Sequence, residues 1–188
     1  MTPRWRLGAF SLASKRSTLS PVPLLRALAQ NDAPALLAFY NGLSSASIRT
    51  FRPLGSKTSL SVCQQIVAEN AAPSPSRFDL VACEQGAMVG WSFIERLAGD
   101  HPNLGIAVAD DRQGLGVGTA LILQTLAGAR RLALTTLHLM VVQDNVRAIR
   151  WYERHGFVKC GEEFDAGDQL PYYHMVAGTL GAEEAAQG

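Results

Sequence analysis

The sequence predicts a layered α/β domain, a mixed and mostly antiparallel sheet of about six to seven strands flanked by about four helices. Three observations carry that prediction. Phe78 to Cys83 and Met88 to Leu97 are β-prone runs separated only by a short turn, the pattern of an antiparallel hairpin. Leu104 to Ala109 is a further strand that runs through a glycine cluster into helical spacing. Leu137 to Val142 is a continuous apolar run of strand length, as expected of a strand covered on both faces in mid-sheet.

The remaining elements follow in order. Leu24 to Leu28 reads as a short strand, and Asn31 or Asp32 offers an N-cap for a helix through Leu43, whose Leu36, Leu37, Tyr40 and Leu43 share one face. A second helix is expected from Ser59 to Asn70, ended by the proline-rich stretch Pro73 to Ser76. Thr119 to Leu132 places Leu121, Ile122, Leu126 and Ala129 at helical spacing. Asp144 and Asn145 can cap a helix to His155, where Gly156 can take the left-handed conformation that ends helices. Phe157 to Cys160 and Pro171 to Val176 are the last strands, with a polar connection at Gly161 to Gln169.

A chain of 188 residues with 47% hydrophobic content can close one core. We expect a single domain over residues 21–180, between disordered tails at 1–20 and 181–188. The first 31 residues carry Arg4, Arg6, Lys15, Arg16 and Arg26 without an acid, but no convincing cleavage site follows the short apolar stretch Leu7 to Ala13. A net charge of +1 offers no field for nucleic acid or an anionic membrane. Arg130 and Arg131 interrupt the longest helical stretch, which leaves no run long enough to span a bilayer. Cys63, Cys83 and Cys160 are too scattered for a metal knuckle or a disulfide framework, so no metal is expected and a reducing, cytoplasmic setting fits.

The segment Gln113-Gly114-Leu115-Gly116-Val117-Gly118-Thr119 lies where a strand ends and a helix begins. Glycines there remove Cβ atoms that would keep an anion from the main chain, and the helix N-terminus adds about half a positive charge. Together these make a phosphate cradle. A Walker loop is excluded, because no lysine occurs between Lys57 and Lys159. A dinucleotide fingerprint is excluded as well: Thr119 stands where its third glycine belongs, and no acid occurs from Arg112 to Gln143 to hold a ribose.

Gln113-x-x-Gly116-x-Gly118 after a strand resembles the acetyl-coenzyme A signature of the GNAT superfamily of N-acetyltransferases. A second element, Asn145-x-x-Ala148-x-x-x-Tyr152-x-x-x-Gly156-Phe157, follows at the separation expected of that superfamily. The motif resemblance covers Leu104 to Phe157; outside it only the layout agrees.

The resemblance implies that Leu104 to Ala109 and Leu137 to Val142 form a central splayed parallel pair that admits the pantetheine arm of acetyl-coenzyme A. By the same implication, Ile106 and Val108 pair with the pantetheine amides, while Gln113, Gly114, Leu115, Gly116, Val117, Gly118 and Thr119 present main-chain donors to the pyrophosphate. Asn145 either contacts the pantetheine region or serves only as a helix cap. The implied reaction is direct attack of a primary amine on the thioester, with the Val108 amide facing the oxyanion and Tyr152 as the acid that protonates or hydrogen-bonds the departing thiolate.

No acid lies on Leu104 to Ala109, so the base is sought elsewhere: Glu95 on the preceding strand acting through water, or Asp100 or His101 from the adjoining loop. His138, between Leu137 and Leu139, reads either as a satisfied core histidine or as a side chain facing the cleft. His155 suits a helix C-terminus, and Tyr172, Tyr173 and His174 either pack or border the acceptor site. The acceptor is a small-molecule amine or an amine on a protein, and a homodimer is compatible with the resemblance. A non-catalytic acyl-coenzyme A sensor is the alternative from another class; the Tyr152 position favours the enzyme.

Overall fold

The structure, a computed structural model, describes residues 23–179; the expected tails lie outside them. One seven-stranded sheet runs in the order β1-β2-β3-β4-β5-β7-β6. Its strands are β1 (Leu24–Ala27), β2 (Arg77–Glu84), β3 (Ala87–Glu95), β4 (Asn103–Val108), β5 (Thr136–Val142), β6 (Val158–Asp165) and β7 (Leu170–Gly178). The helices are α1 (Ala33–Gly42), α2 (Ser45–Thr50), α3 (Leu60–Asn70), α4 (Val117–Arg131) and α5 (Val146–Glu153). Every neighbouring pair of strands is antiparallel except β4 and β5.

The hairpin between β2 and β3 turns on Gln85 and Gly86, both at positive φ, as a two-residue loop requires. On one face, Leu36 and Tyr40 of α1, Ile48 of α2 and Ile66 of α3 bury against Trp91 and Phe93 of β3. On the other, Ile122 of α4 and Ile149 of α5 pack over Leu137, Leu139 and Met175. Beneath the first layer the carboxylate of buried Asp79 accepts from Arg77 Nε at 2.6 Å and from the Trp91 indole at 2.8 Å, so both the charge and the indole N–H are partnered. Gly105 is where β4 meets that layer; a Cβ there would lie 2.2 Å from Phe93 Cζ, so the ring is able to cover the strand only because no side chain intervenes.

Four expectations change. The helix α2 was not anticipated; its six residues lack the length to show a period, and its N-terminus is secured by Ser44, whose Oγ accepts from the Ser47 amide at 3.2 Å, and by a distant residue described below. Asp32 stands at the start of α1 but does not cap it: its carboxylate pairs with Arg26 and accepts from the Ala29 amide instead. β6 continues through Gly161 to Asp165, so much of the polar connection is an edge strand that alternation of apolar residues could not reveal. β5 is covered on one face only, with Met140 41% exposed, because the first-face helices stop short of it.

Candidate active site

The parallel neighbours β4 and β5 are paired at a single position, Asn103 with His138, after which they part. The Ala109 amide donates to Val89 O at 2.9 Å, which makes the odd-numbered residues of β4 the ones bonded to β3. By alternation, the main-chain groups of Ile106 and Val108 point across the gap toward β5. They form an unpaired strand edge of the kind an extended amide-bearing chain can join. Gln113 partly closes the outer end, its Nε2 donating to Val108 O at 3.3 Å.

The glycine loop follows at the wide end of the gap. Gly114 and Gly116 have φ of +78° and +88°, a left-handed conformation that strains any residue with a Cβ. Gly116 is the N-cap of α4, and the first helical bond runs from the Ala120 amide to Gly116 O at 3.0 Å. Among the described residues, the amides from Gly114 through Thr119 have no acceptor in the protein. Six successive donors at a helix N-terminus are therefore available to one anionic group, a fit to a diphosphate that rests on the main chain alone.

The gap opens into a cleft of about 860 Å³ bordered by the loop, by α2 and by α5. Arg147 of α5 and Arg154, the C-cap of that helix, both border it, and the Arg147 guanidinium nitrogen Nη2 lies 3.7 Å from the position a Cβ would take on Gly114. Sequence reading passed over these two cations; the signal was their seven-residue spacing, which puts both on one side of a helix. Asn145 acts as the cap of α5, its Oδ1 accepting from the Ala148 amide at 3.2 Å, and also borders the cleft.

Tyr152 is buried between Trp151 and Phe157, with ring centroids at 5.1 and 5.7 Å, yet it borders the cleft. No protein group among the described residues bonds its hydroxyl, and burial alone pushes the phenol well above its ordinary pKa. The hydroxyl is thus kept neutral, with its hydrogen available to a group in the cleft.

Two carboxylates border the cleft, and both are held by α2. Asp110 accepts from the Ser44 amide at 2.9 Å, from Ser44 Oγ at 2.6 Å and from Ser47 Oγ at 2.7 Å; these bonds, the Ser44 hydroxyl's first, lower its pKa. Asp144 takes both nitrogens of Arg49 at 3.0 and 2.6 Å, and that bidentate pair lowers its pKa likewise. Arg52 reaches Asp168 in the turn between β6 and β7. The short helix is thereby tied to three loops around the cleft.

Glu95 is not among the residues that border the cleft. It lies on β3 opposite the start of β4, where Asn103 Nδ2 donates to its Oε1 at 3.2 Å, and β4 stands between it and the gap. Register pairing of the two strands, which adjacency in sequence does not reveal, put it there. Asp100 sits in an exposed turn. His155 Nδ1–H donates to Trp151 O in its own helix at 2.7 Å, and the Tyr172 hydroxyl donates to Asp168 Oδ2 at 2.8 Å. His138 is half-buried rather than a core residue, its Nε2 3.3 Å from Nδ1 of exposed His101.

The strand gap and the glycine loop of unengaged amides lie within residues 46–157, which match the family described as Acetyltransferase (GNAT) family. The chain belongs to that family. It is 35% identical over 94 residues to a mycothiol acetyltransferase of Paenarthrobacter aurescens, a match that covers 45% of this chain and 28% of that protein. The chain thus spans less than a third of that curated relative. Among solved structures it resembles a GNAT family acetyltransferase from Streptococcus pneumoniae, with a TM-score of 0.69 at 23% identity over 83% of this chain and 98% of the other. It also resembles the spermidine N-acetyltransferase of Vibrio cholerae in complex with CoA and spermine, with a TM-score of 0.69 at 20% identity over 84% and 95% of the two chains. Among the described residues no helix is long and apolar enough to cross a membrane, and no group of three or more His, Cys, Asp or Glu residues is placed to hold a metal.

Proposed function

We propose that the protein transfers an acetyl group from acetyl-coenzyme A to a primary amine, on a small molecule or a protein, by direct attack on the thioester. The observation that carries this reading is the run of six unengaged amides from Gly114 to Thr119 at the wide end of the β4–β5 gap. Membership of the family supports acyl transfer, and the relatives named above are a mycothiol acetyltransferase and a spermidine N-acetyltransferase.

The thioester supplies an electrophilic carbonyl and a leaving thiolate. The loop amides grip the diphosphate, and Arg147 adds a cation beside them. Outward-pointing main-chain groups of Ile106 and the Val108 carbonyl hold the arm as an added strand, which leaves the Val108 N–H to stabilise the developing oxyanion. A coenzyme A thiolate has a pKa near ~8.5 and the Tyr152 phenol lies far above it, so full proton transfer is uphill. Tyr152 instead donates a hydrogen bond to the sulfur as the C–S bond lengthens, and Asn145 fixes the start of the helix that carries it.

The test is a panel of amines incubated with protein and acetyl-coenzyme A, with free thiol as the readout. Acceptor-dependent thiol release, together with coenzyme A binding by calorimetry, is the expected result. Binding without release for every amine would leave an acyl-coenzyme A sensor; no binding would remove the reading altogether.

A further inference from the structure

His138 stands at the vertex of the gap, the one point where β4 and β5 are still paired. If the loop holds the phosphates and Val108 and Ile106 hold the arm, the arm runs along β4 away from the loop and its reactive end faces that vertex. This step rests on the function proposed above.

The side of the sheet matters as much as the position. Leu137 and Leu139 flank His138 and bury under α4 and α5, so His138 emerges on the opposite face, the one that bears α1 to α3. Tyr152 lies on the α5 side. The amine adds to a face of the planar thioester carbonyl while the sulfur is still bound, and the C–S bond breaks afterwards, so the amine and the sulfur each need a partner of their own. His138 and Tyr152 lie on opposite faces of the sheet and do not compete for one of them.

We propose that His138 is the proton acceptor for the incoming amine, and that His101 relays the proton to solvent. In the tautomer that donates Nε2–H to His101 Nδ1 across 3.3 Å, Nδ1 of His138 keeps its lone pair, and no protein group among the described residues occupies it. β4 advances about 3.3 Å per residue, so the Ile106 and Val108 levels lie about 10 and about 17 Å along the strand from the His138 row, a span closed by a chain of waters between the amine and the imidazole.

The protons balance as follows. The ammonium gives one proton through water to His138 Nδ1, and the neutral amine attacks the thioester carbon. As the C–S bond breaks, the nitrogen gives its second proton to the sulfur, whose charge Tyr152 steadies meanwhile; the products are amide and free thiol. His138 then passes Nε2–H to His101, which is exposed and releases a proton to water, and proton exchange with water from Nδ1 back to Nε2 restores the starting tautomer.

The other ionisable groups are weaker candidates. Asp110 and Asp144 are both engaged by α2 and shifted down, so neither binds a proton well near neutral pH. Glu95 reaches this row only through Asn103. The groups that face His138 are His101 from the loop before β4, Thr136 on its own strand, Asn103 on β4 with Glu95 behind it, and His174 on β7, which bonds Glu163 Oε2 at 2.9 Å. Burial first, then the two neighbouring histidines, lower the pKa of His138, which keeps it neutral and able to accept a proton at physiological pH.

The test compares pH profiles of kcat/KM for one amine acceptor in the parent, His138→Gln and His101→Ala, with coenzyme A affinity measured alongside. The parent should lose activity as the pH falls through a limb below about 6.5, the ordinary histidine value. His138→Gln should abolish that limb and lower kcat/KM about 10- to 100-fold, with coenzyme A affinity within about twofold of the parent. His101→Ala, an exposed change that leaves the fold intact, removes a repelling neighbour and should move the limb to higher pH. An unaltered limb in His138→Gln, or a limb in His101→Ala that does not move or moves lower, overturns the proposal. A parent that binds coenzyme A yet acetylates no amine overturns the proposed function first and this inference with it.

Discussion

Replacing Tyr152 by Phe isolates the leaving-group step, because the structure gives the hydroxyl no protein partner to lose. The ring keeps its contacts with Trp151 and Phe157 at 5.1 and 5.7 Å, and no buried donor or acceptor is orphaned, so the folded state should be unchanged. What disappears is one hydrogen bond to a developing thiolate. Bonds to charged groups contribute about 1.5 to 3 kcal/mol, which converts to a fall of about 10- to 150-fold in kcat at about 1.4 kcal/mol per decade. Thiol release gives kcat, and calorimetry gives the coenzyme A affinity, which should stay within about twofold. The pH dependence adds a second check. Burial raises the phenol's pKa, so the O–H is present below that raised value and lost only above it; the parent should show no alkaline loss from this group at or below about pH 10. Unchanged turnover in the variant, or a loss of coenzyme A affinity as large as the loss of rate, would refute the role.

Two glycines of the loop should respond with opposite signs. Gly116→Ala places a Cβ at φ +88° in open space, so the backbone alone is strained and stability should fall by about 1 to 2 kcal/mol. Gly118→Ala sits in the first turn of α4 with Val108 and Trp151 at ordinary contact distances of 3.6 and 3.7 Å, and should gain up to about 1 kcal/mol; thermal melts that shift both variants the same way would contradict the geometry. Arg147→Ala should weaken coenzyme A binding and reduce its dependence on salt, because a guanidinium beside Gly114 acts by charge; an unchanged salt dependence would place Arg147 outside the anion site.

The glycine loop and Tyr152 were legible because each announces itself locally. Glycines at 114 and 116 are required by positive φ, and Tyr152 is fixed to Asn145 and Gly156 by helical spacing and by the turn that ends α5. Hidden from sequence was everything set by register. Glu95 and His138 are both one strand removed from Asn103, yet one is screened from the gap and the other stands at its vertex, and only the pairing of β3, β4 and β5 distinguishes them. The helix α2 was hidden for a related reason: its N-terminus is completed by Asp110, 66 residues from Ser44, and its Arg49 is held by Asp144. Arg147 and Arg154 went unnoticed because only the placement of α5 against the loop brings them to the cleft.

The central claim, that main-chain donors at the mouth of the β4–β5 gap grip a diphosphate, is tested most directly by following backbone amide resonances during a coenzyme A titration. Saturable shifts concentrated on Gly114 through Thr119, with Ile106 and Val108 moving along the gap, are the predicted result. Shifts confined to other surfaces, or none at millimolar coenzyme A, would contradict it.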